Sequence, residues 1–287
     1  LGIFRKSLFS LMEPTLQRKD GFKSKGDFTN RDNKRQKLLE KQKEVRRNLA
    51  EHARELVQAV MTDDAQDKKG RNESDWSKTR REFYARQLMF PQWLDELPDD
   101  LRENWLVVPR PEGTRCLVIS SGGVTMSRKR NGTILHRFRS ALPGGSGSTL
   151  ALLRDCYCIL DCVFHEANKT YYILDMMCWK SYNLYDSDSS FRHFWAESKL
   201  AETSVHTVSE HNQYRFSILP LLNCTSEVTP VIGLATDRFK HPLGFEQDGL
   251  LFVHKQTHYV LGLTPLVMLW KDASCSRFLI DTKQDGS

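Results

Sequence analysis

The chain lacks cysteine pairs at the spacing of a metal or redox site. Its seven cysteines, Cys116, Cys156, Cys158, Cys162, Cys178, Cys224 and Cys275, are odd in number and contain no Cys-x-x-Cys. That argues against a disulfide framework and against a structural zinc site. Most lie in apolar, strand-like contexts where a thiol acts as a small hydrophobe, and a reducing, intracellular setting is expected. Long apolar runs are missing too. No stretch reaches the roughly 18 residues of a membrane span, and Leu1-Gly2-Ile3-Phe4-Arg5-Lys6 is too broken by charge for a secretory signal. The opening residue is not methionine, and the chain reads as a piece of a longer protein. The glycine-rich run from Pro143 to Thr149 lacks the Gly-Lys-Ser/Thr ending that would place an amine and a hydroxyl on phosphate and magnesium. It reads as a mobile loop.

What is present is enough apolar content, 39% of 287 residues, for a core. The mean hydropathy of −0.52 adds a substantial polar fraction. Charge is unevenly placed. Residues 18 to 47 hold twelve Lys or Arg against five Asp or Glu, an excess of seven that leaves the rest of the chain at −1. A domain gripping long nucleic acid would spread its positive charge, and this one does not.

Residues 1 to 30 read as flexible. From Asp32 or Asn33, either a plausible N-cap, apolar positions Leu38, Val45, Leu49, Ala53, Leu56 and Val60 recur at helical spacing and predict one amphipathic helix over about 33–60. Arg31, Lys34, Arg35, Lys37, Lys41, Lys43, Arg46 and Arg47 crowd its first half. Residues 1–61 thus form an N-terminal element, 62–80 a polar linker, 81–280 a compact domain and 281–287 a tail. Within the domain the texture is short and β-prone. Asn131-Gly132 signals a hairpin between Thr125–Ser127 and Ile134–His136, another runs from Ile159–Phe164 to Thr170–Met176, and Phe191 to Leu200 supplies a packing helix. The fold class is α+β, built on antiparallel sheets.

Arg110-Pro111-Glu112-Gly113-Thr114-Arg115 resembles the Lys-x-Asp-Gly-x-Arg nucleophile motif of RNA-capping enzymes and DNA ligases, with Arg110 in the lysine's place. A guanidinium stays protonated and has no lone pair for attack on a phosphate, so such a site could hold a nucleotide without forming the lysyl bond. Ile159–Val163 with Tyr172–Asp175, Phe245–Phe252 and Leu269-Trp270-Lys271 resemble further strands of that superfamily, in its order. The resemblance implies a nucleotidyltransferase-like fold without the catalytic lysine. Asp161 and Asp175, a conceivable metal pair in an active transferase, are expected to be structural.

A second resemblance covers nearly the whole chain. Lys34–Glu40 and Glu51–Leu56 resemble the importin-β-binding segment of the snurportins. Gln87-Leu88-Met89, Trp93-Leu94, Ser140–Gly145, Tyr171–Asp175, Met177-Cys178-Trp179, Asp248–Phe252, His254–Tyr259 and Thr264–Val267 resemble their cap-binding domain. The resemblance implies a shuttling nuclear and cytoplasmic import adaptor, monomeric and without enzyme activity, cofactor or metal. Its partners would be the trimethylguanosine (m3G) cap of U snRNAs in their snRNPs, importin-β, and an exportin for recycling to which Leu8, Phe9, Leu11 and Met12 could contribute. It implies Phe90, Pro91, Trp93, Arg110, Arg115, Arg130, Trp270 and Lys271 as cap-binding residues, with Phe90, Pro91 and Trp93 at the methylated base and Arg115 on the phosphate side. Trp270 falls one residue late for the stacking register, which Leu269 occupies. A β-bulge is expected to return it to the pocket, the alternative being another aromatic. Two other functions stay open: a working nucleotidyltransferase using another lysine such as Lys129, and an RNA-binding protein without cap specificity.

Overall fold

The computed structural model describes residues 29–44, 49–67, 75–146, 156–224, 244–272 and 275–282. Leu8, Phe9, Leu11, Met12, Arg46 and Arg47 lie outside them. Two sheets face each other. The first has the order β1 (Met89–Trp93), β12 (Gly262–Trp270), β11 (Gln247–His254), β2 (Trp105–Pro111), β10 (Leu222–Asn223). The second runs β5 (Ile134–Phe138), β4 (Val124–Lys129), β3 (Thr114–Ser121), β6 (Tyr157–His165), β7 (Thr170–Trp179), β8 (Tyr182–Asn183), with β9 (Arg215–Ile218) also paired to β7. Pairing is antiparallel except for β1 on β12 and β9 on β7. The α+β class and both predicted hairpins are as expected.

The central strands are apolar on both faces because both faces are covered. In β3, Leu117 and Ile119 point between the sheets, while Cys116 and Val118 enter an outer core with Leu160, Trp179, Ala196 and Leu200. Helix α5 (Ser189–Ala201), predicted over 191–200, closes that outer side. In the first sheet Leu251, Val267 and Leu269 face inward. Leu250, Met268 and Trp270 turn outward to Trp105, Leu94, Leu97 and Leu101 of α4 (Leu101–Asn104). All seven cysteines are free thiols, and Cys116, Cys158, Cys162 and Cys178 lie within these strands.

The N-terminal organisation differs from expectation. Helix α1 spans Thr29–Glu44 and α2 spans Leu49–Asp67, and α3 (Asp75–Ala85) begins inside the stretch read as linker. No glycine or proline stands between Val60 and Gly70 to stop α2, which explains its length. Nor does α2 stand apart from the domain. Ala53, Leu56, Val57 and Val60 share one helical face and are buried at 0–4% exposure with Tyr84, Leu88 and Leu117 in the central core. The glycine-rich run also departs from the mobile-loop reading at its start. Pro143, Gly144 and Gly145 are buried, and the Pro143 carbonyl accepts from Ser120 Oγ at 2.7 Å.

Candidate functional site

The hexapeptide forms the turn from β2 into β3. Gly113 adopts φ +144°, and a Cβ there would stand 2.2 Å from the Phe164 carbonyl oxygen, so a side chain is excluded by backbone that cannot retreat. The two arginines of the motif leave this turn in different directions. Arg115 reaches into a cleft between the sheets whose walls include Met89, Val108, Leu251, Val253 and Val267 and whose polar groups include Arg115, Asp161, Asp175, Ser189 and His193.

Arg115 is paired bidentately with Asp161, Nε to Oδ1 and Nη2 to Oδ2 at 2.6 Å each, and Nη2 also donates to the Met89 carbonyl at 2.9 Å. Tyr259 Oη donates to Asp161 Oδ2 at 2.6 Å and accepts from the Met89 amide at 3.0 Å. Burial opposes the charge on Arg115, but Asp161 outweighs it and holds the guanidinium above its ordinary range. Burial keeps the Tyr259 phenol protonated, as a donor must be. Asp175 is taken by Arg192 in the same bidentate way, at 2.8 and 2.7 Å. The two aspartates therefore each serve an arginine, and among the described residues no group of three or more His, Cys, Asp or Glu is arranged for a metal.

Arg110 and Lys271, both expected among the cap-binding residues, point elsewhere than into this cleft. Each is 1% exposed, and neither lines the cleft. They converge on the buried Asp248: Arg110 Nη1 at 2.5 Å and Lys271 Nζ at 2.7 Å meet the same oxygen, Oδ2. A buried carboxylate needs neutralising, and this need explains their direction. Burial would raise Asp248, yet the two cations hold it below the usual carboxylate range. Burial and the neighbouring Arg110 bring Lys271 down to about 8. Gly249, in the β11 bulge beside Asp248, has φ +112°, and its Cβ would meet the Trp270 carbonyl at 2.5 Å.

Trp270 also lies outside the lining of this cleft. The β11–β12 register runs without interruption through Leu250 opposite Trp270, Leu251 opposite Leu269 and Val253 opposite Val267. A bulge is present, but it lies earlier in β12 against β1, where Pro91 pairs with Thr264 and Gln92 with Met268. It therefore cannot change the side on which Trp270 emerges relative to Leu269. Trp270 is 4% exposed in the outer core with Trp105. The aromatic beside Leu269 is Trp93, its register partner, and Leu94 N donates to Leu269 O at 2.9 Å. Phe90 and Trp93 are half-buried against the central core and Pro91 is buried in this edge strand. Arg130, at the β4–β5 turn, has a side chain 41% exposed and binds Asp281.

Sequence reasoning missed Asp281 and Thr282, which it assigned to a tail. The Asp281 Oδ1 accepts from the Arg115 amide at 2.8 Å, and Thr282 Oγ1 accepts from the Gly113 amide at 2.8 Å. Such backbone-directed contacts leave no motif to find. Of the basic helix, Lys34, Lys37, Lys41 and Lys43 are exposed. Arg31 pairs with Asp95 at 2.9 Å, and the Arg35 guanidinium lies 5.4 Å above Trp105 and donates to Pro265 O.

Two facing, largely antiparallel sheets around an apolar cleft with a few buried polar groups define an α+β binding domain. Residues 87–272 match the family described as Snurportin1, m3G cap-binding domain. The chain belongs to that family. Among solved structures it is similar to a mycobacterial DNA ligase D complexed with ATP and MES, at 15% identity and TM-score 0.42, over 64% of this chain and 59% of that one. It is also similar to a Lig E DNA ligase at 13% identity and TM-score 0.40, over 64% and 68%. A Chlorella virus DNA ligase-adenylate gives 11% and 0.40, over 64% and 67%.

Proposed function

We propose that this chain is a nuclear import adaptor: its two-sheet domain binds the 2,2,7-trimethylguanosine cap of U small nuclear RNAs, and its basic helix α1 engages importin-β. The observation that carries the cap reading is the coupling of Arg115 to β1. One guanidinium grips both Asp161 and the Met89 carbonyl, next to the strand that carries Phe90, Pro91 and Trp93. A cationic methylated guanine would stack on an indole for about 1–3 kcal/mol, and its dimethylated N2, with no hydrogen left to donate, suits an apolar edge. Trp93 supplies the indole in this reading, and Arg130 the accessible positive charge for the phosphates.

For importin-β, the exposed Lys34, Lys37 and Lys41 follow the 3–4 spacing of one helical face, a stripe suited to an acidic receptor. Shuttling between cytoplasm and nucleus, with an exportin for the return, follows from that role. The domain works without catalysis in this reading, because Arg110 offers no nucleophile and is committed to Asp248. Incubation with labelled GTP and magnesium should leave no covalent adduct, and an adduct on Lys129 or Lys271 would overturn this. The deciding measurement is competition between trimethylated and monomethylated cap analogues, followed by tryptophan fluorescence. Preference for the trimethylated cap supports the adaptor, and equal affinity removes cap specificity.

A further inference from the structure

The segment from Ser276 to Thr282 lies across the hexapeptide turn and is held there from within. Lys271 Nζ donates to the Phe278 carbonyl at 2.6 Å and Arg110 Nη2 donates to the Ile280 carbonyl. Ser276 N donates to Asp248 Oδ1 at 2.7 Å. Thr282 closes the far end, its amide on the Gly113 carbonyl at 3.2 Å and its hydroxyl on Asp248 at 3.0 Å. The two cations that the sequence assigned to a ligand are thus spent on this strap.

The strap presents oxygens to donors of a particular kind. The amides of Gly113 and Arg115 point at Thr282 Oγ1 and Asp281 Oδ1, and Arg130 Nε meets Asp281 Oδ2 at 2.6 Å. Backbone amides at a turn together with a guanidinium are what recognises a phosphate group. Here the Arg115 amide and Arg130 hold the Asp281 carboxylate, which is 5% exposed, and the Gly113 amide meets the Thr282 hydroxyl, while Arg130 itself stays open to solvent. An anion arriving from solution therefore meets the arginine first and the carboxylate behind it.

We propose that Ser276–Thr282 is an intramolecular competitor, with the Asp281 carboxylate standing where a phosphate of the bound ligand sits between Arg130 and the Arg115 amide. This rests on the reading of Arg115 and Arg130 as the phosphate side of the cap site. Binding of a phosphate-bearing ligand then displaces the strap, and affinity is set partly by how firmly the strap is held.

Sodium tripolyphosphate is the probe, titrated calorimetrically into the full chain, into Asp281→Asn, and into Glu166→Gln, which removes an exposed carboxylate elsewhere. The expected result is about fivefold tighter binding by Asp281→Asn, the scale of one partly exposed charge pair, and no change in Glu166→Gln. Trimethylguanosine nucleoside, which has no phosphates, should bind wild type and Asp281→Asn alike. Equal tripolyphosphate affinity in all three proteins, or no binding by any, overturns the proposal. If Asp281→Asn does not fold, hydrogen exchange on the wild type decides. The amides of 276–282 should lose protection at saturating tripolyphosphate, and unchanged or increased protection overturns the competitor. Failure of the wild type to prefer the trimethylated cap, with the Asp281→Asn gain intact, would remove the cap reading and leave the competitor standing.

Discussion

At the scale of single residues, Trp270 and Trp93 of the first sheet separate stability from the proposed recognition. Trp270 is enclosed in the outer core, and its indole N–H has no hydrogen-bond partner among the described residues. Trp270→Ala should therefore cost about 3–5 kcal/mol in urea unfolding, while Trp270→Phe, which also removes an unsatisfied donor, should cost much less. Cap affinity of the folded Trp270→Phe protein should match wild type. Trp93→Ala should do the opposite, weakening cap binding about 5- to 100-fold with a small change in unfolding midpoint. A selective loss of cap binding on Trp270 substitution would reverse this assignment. Lys271 gives a second prediction, from its folded value of about 8. Below pH 8 the amine is protonated in folded and unfolded chains alike. Above it the folded amine loses its proton first, so the unfolded state binds more protons and folding gains with rising pH up to the ordinary lysine range. Wild-type stability relative to Lys271→Met should accordingly rise between pH 7.5 and 9.5, and taking this difference cancels the buried thiols, which titrate in both proteins. Urea midpoints of both proteins at the two pH values check it, and a falling difference would mean that the amine is stabilised as a cation.

At the scale of elements, α2 belongs with the sheets. Its face of Ala53, Leu56, Val57 and Val60 fills the central core, so Leu56→Ala should lower the stability of the whole domain by about 2–5 kcal/mol in a single cooperative transition. A protein starting at residue 49 should fold, and one starting at 62 should expose the core and aggregate. If removal of α2 left the thermal midpoint unchanged, the helix would be part of the separate N-terminal element that the sequence suggested. The strand runs, the Asn131-Gly132 hairpin and α5 were legible because each rests on local chemistry: turn residues, alternation and helical spacing. The apolar stripe of α2 was legible too, but its destination was not, since periodicity names a buried face and not the surface that buries it. Trp270 failed for a related reason. The spacing pointed to a bulge that would return Trp270 to the pocket, and only the pairing partners reveal that the irregularity of β12 lies between Thr264 and Met268, faces β1 and leaves Trp270 in the outer core.

At the scale of the whole molecule, α1, the described part of the basic segment, meets the domain along one side and solvent along another. Arg31, Arg35 and Gln42 dock on Asp95, Pro265 and Gln256, while Lys34, Lys37 and Lys41 stay exposed. Composition located the charge, but it could not divide these cations into docked and free, because both sets have the same side chains at helical spacing. The division makes the proposed importin-β binding separable from the fold. Reversing Lys34, Lys37 and Lys41 to Glu should abolish importin-β capture. Cap affinity and the thermal midpoint should stay near wild type, since exposed charges contribute about 0–1 kcal/mol each. Arg35→Ala should act on both, because its guanidinium spans Trp105 and the β12 bulge and its loss loosens α1 on the domain, with Arg31 and Gln42 still anchoring it. Binding of the triple variant should be measured at low and physiological salt, as surface pairs weaken with ionic strength. Full importin-β affinity in that variant at both salt concentrations would place the receptor's contacts on the docked face, and α1 would then have to leave the domain before import begins.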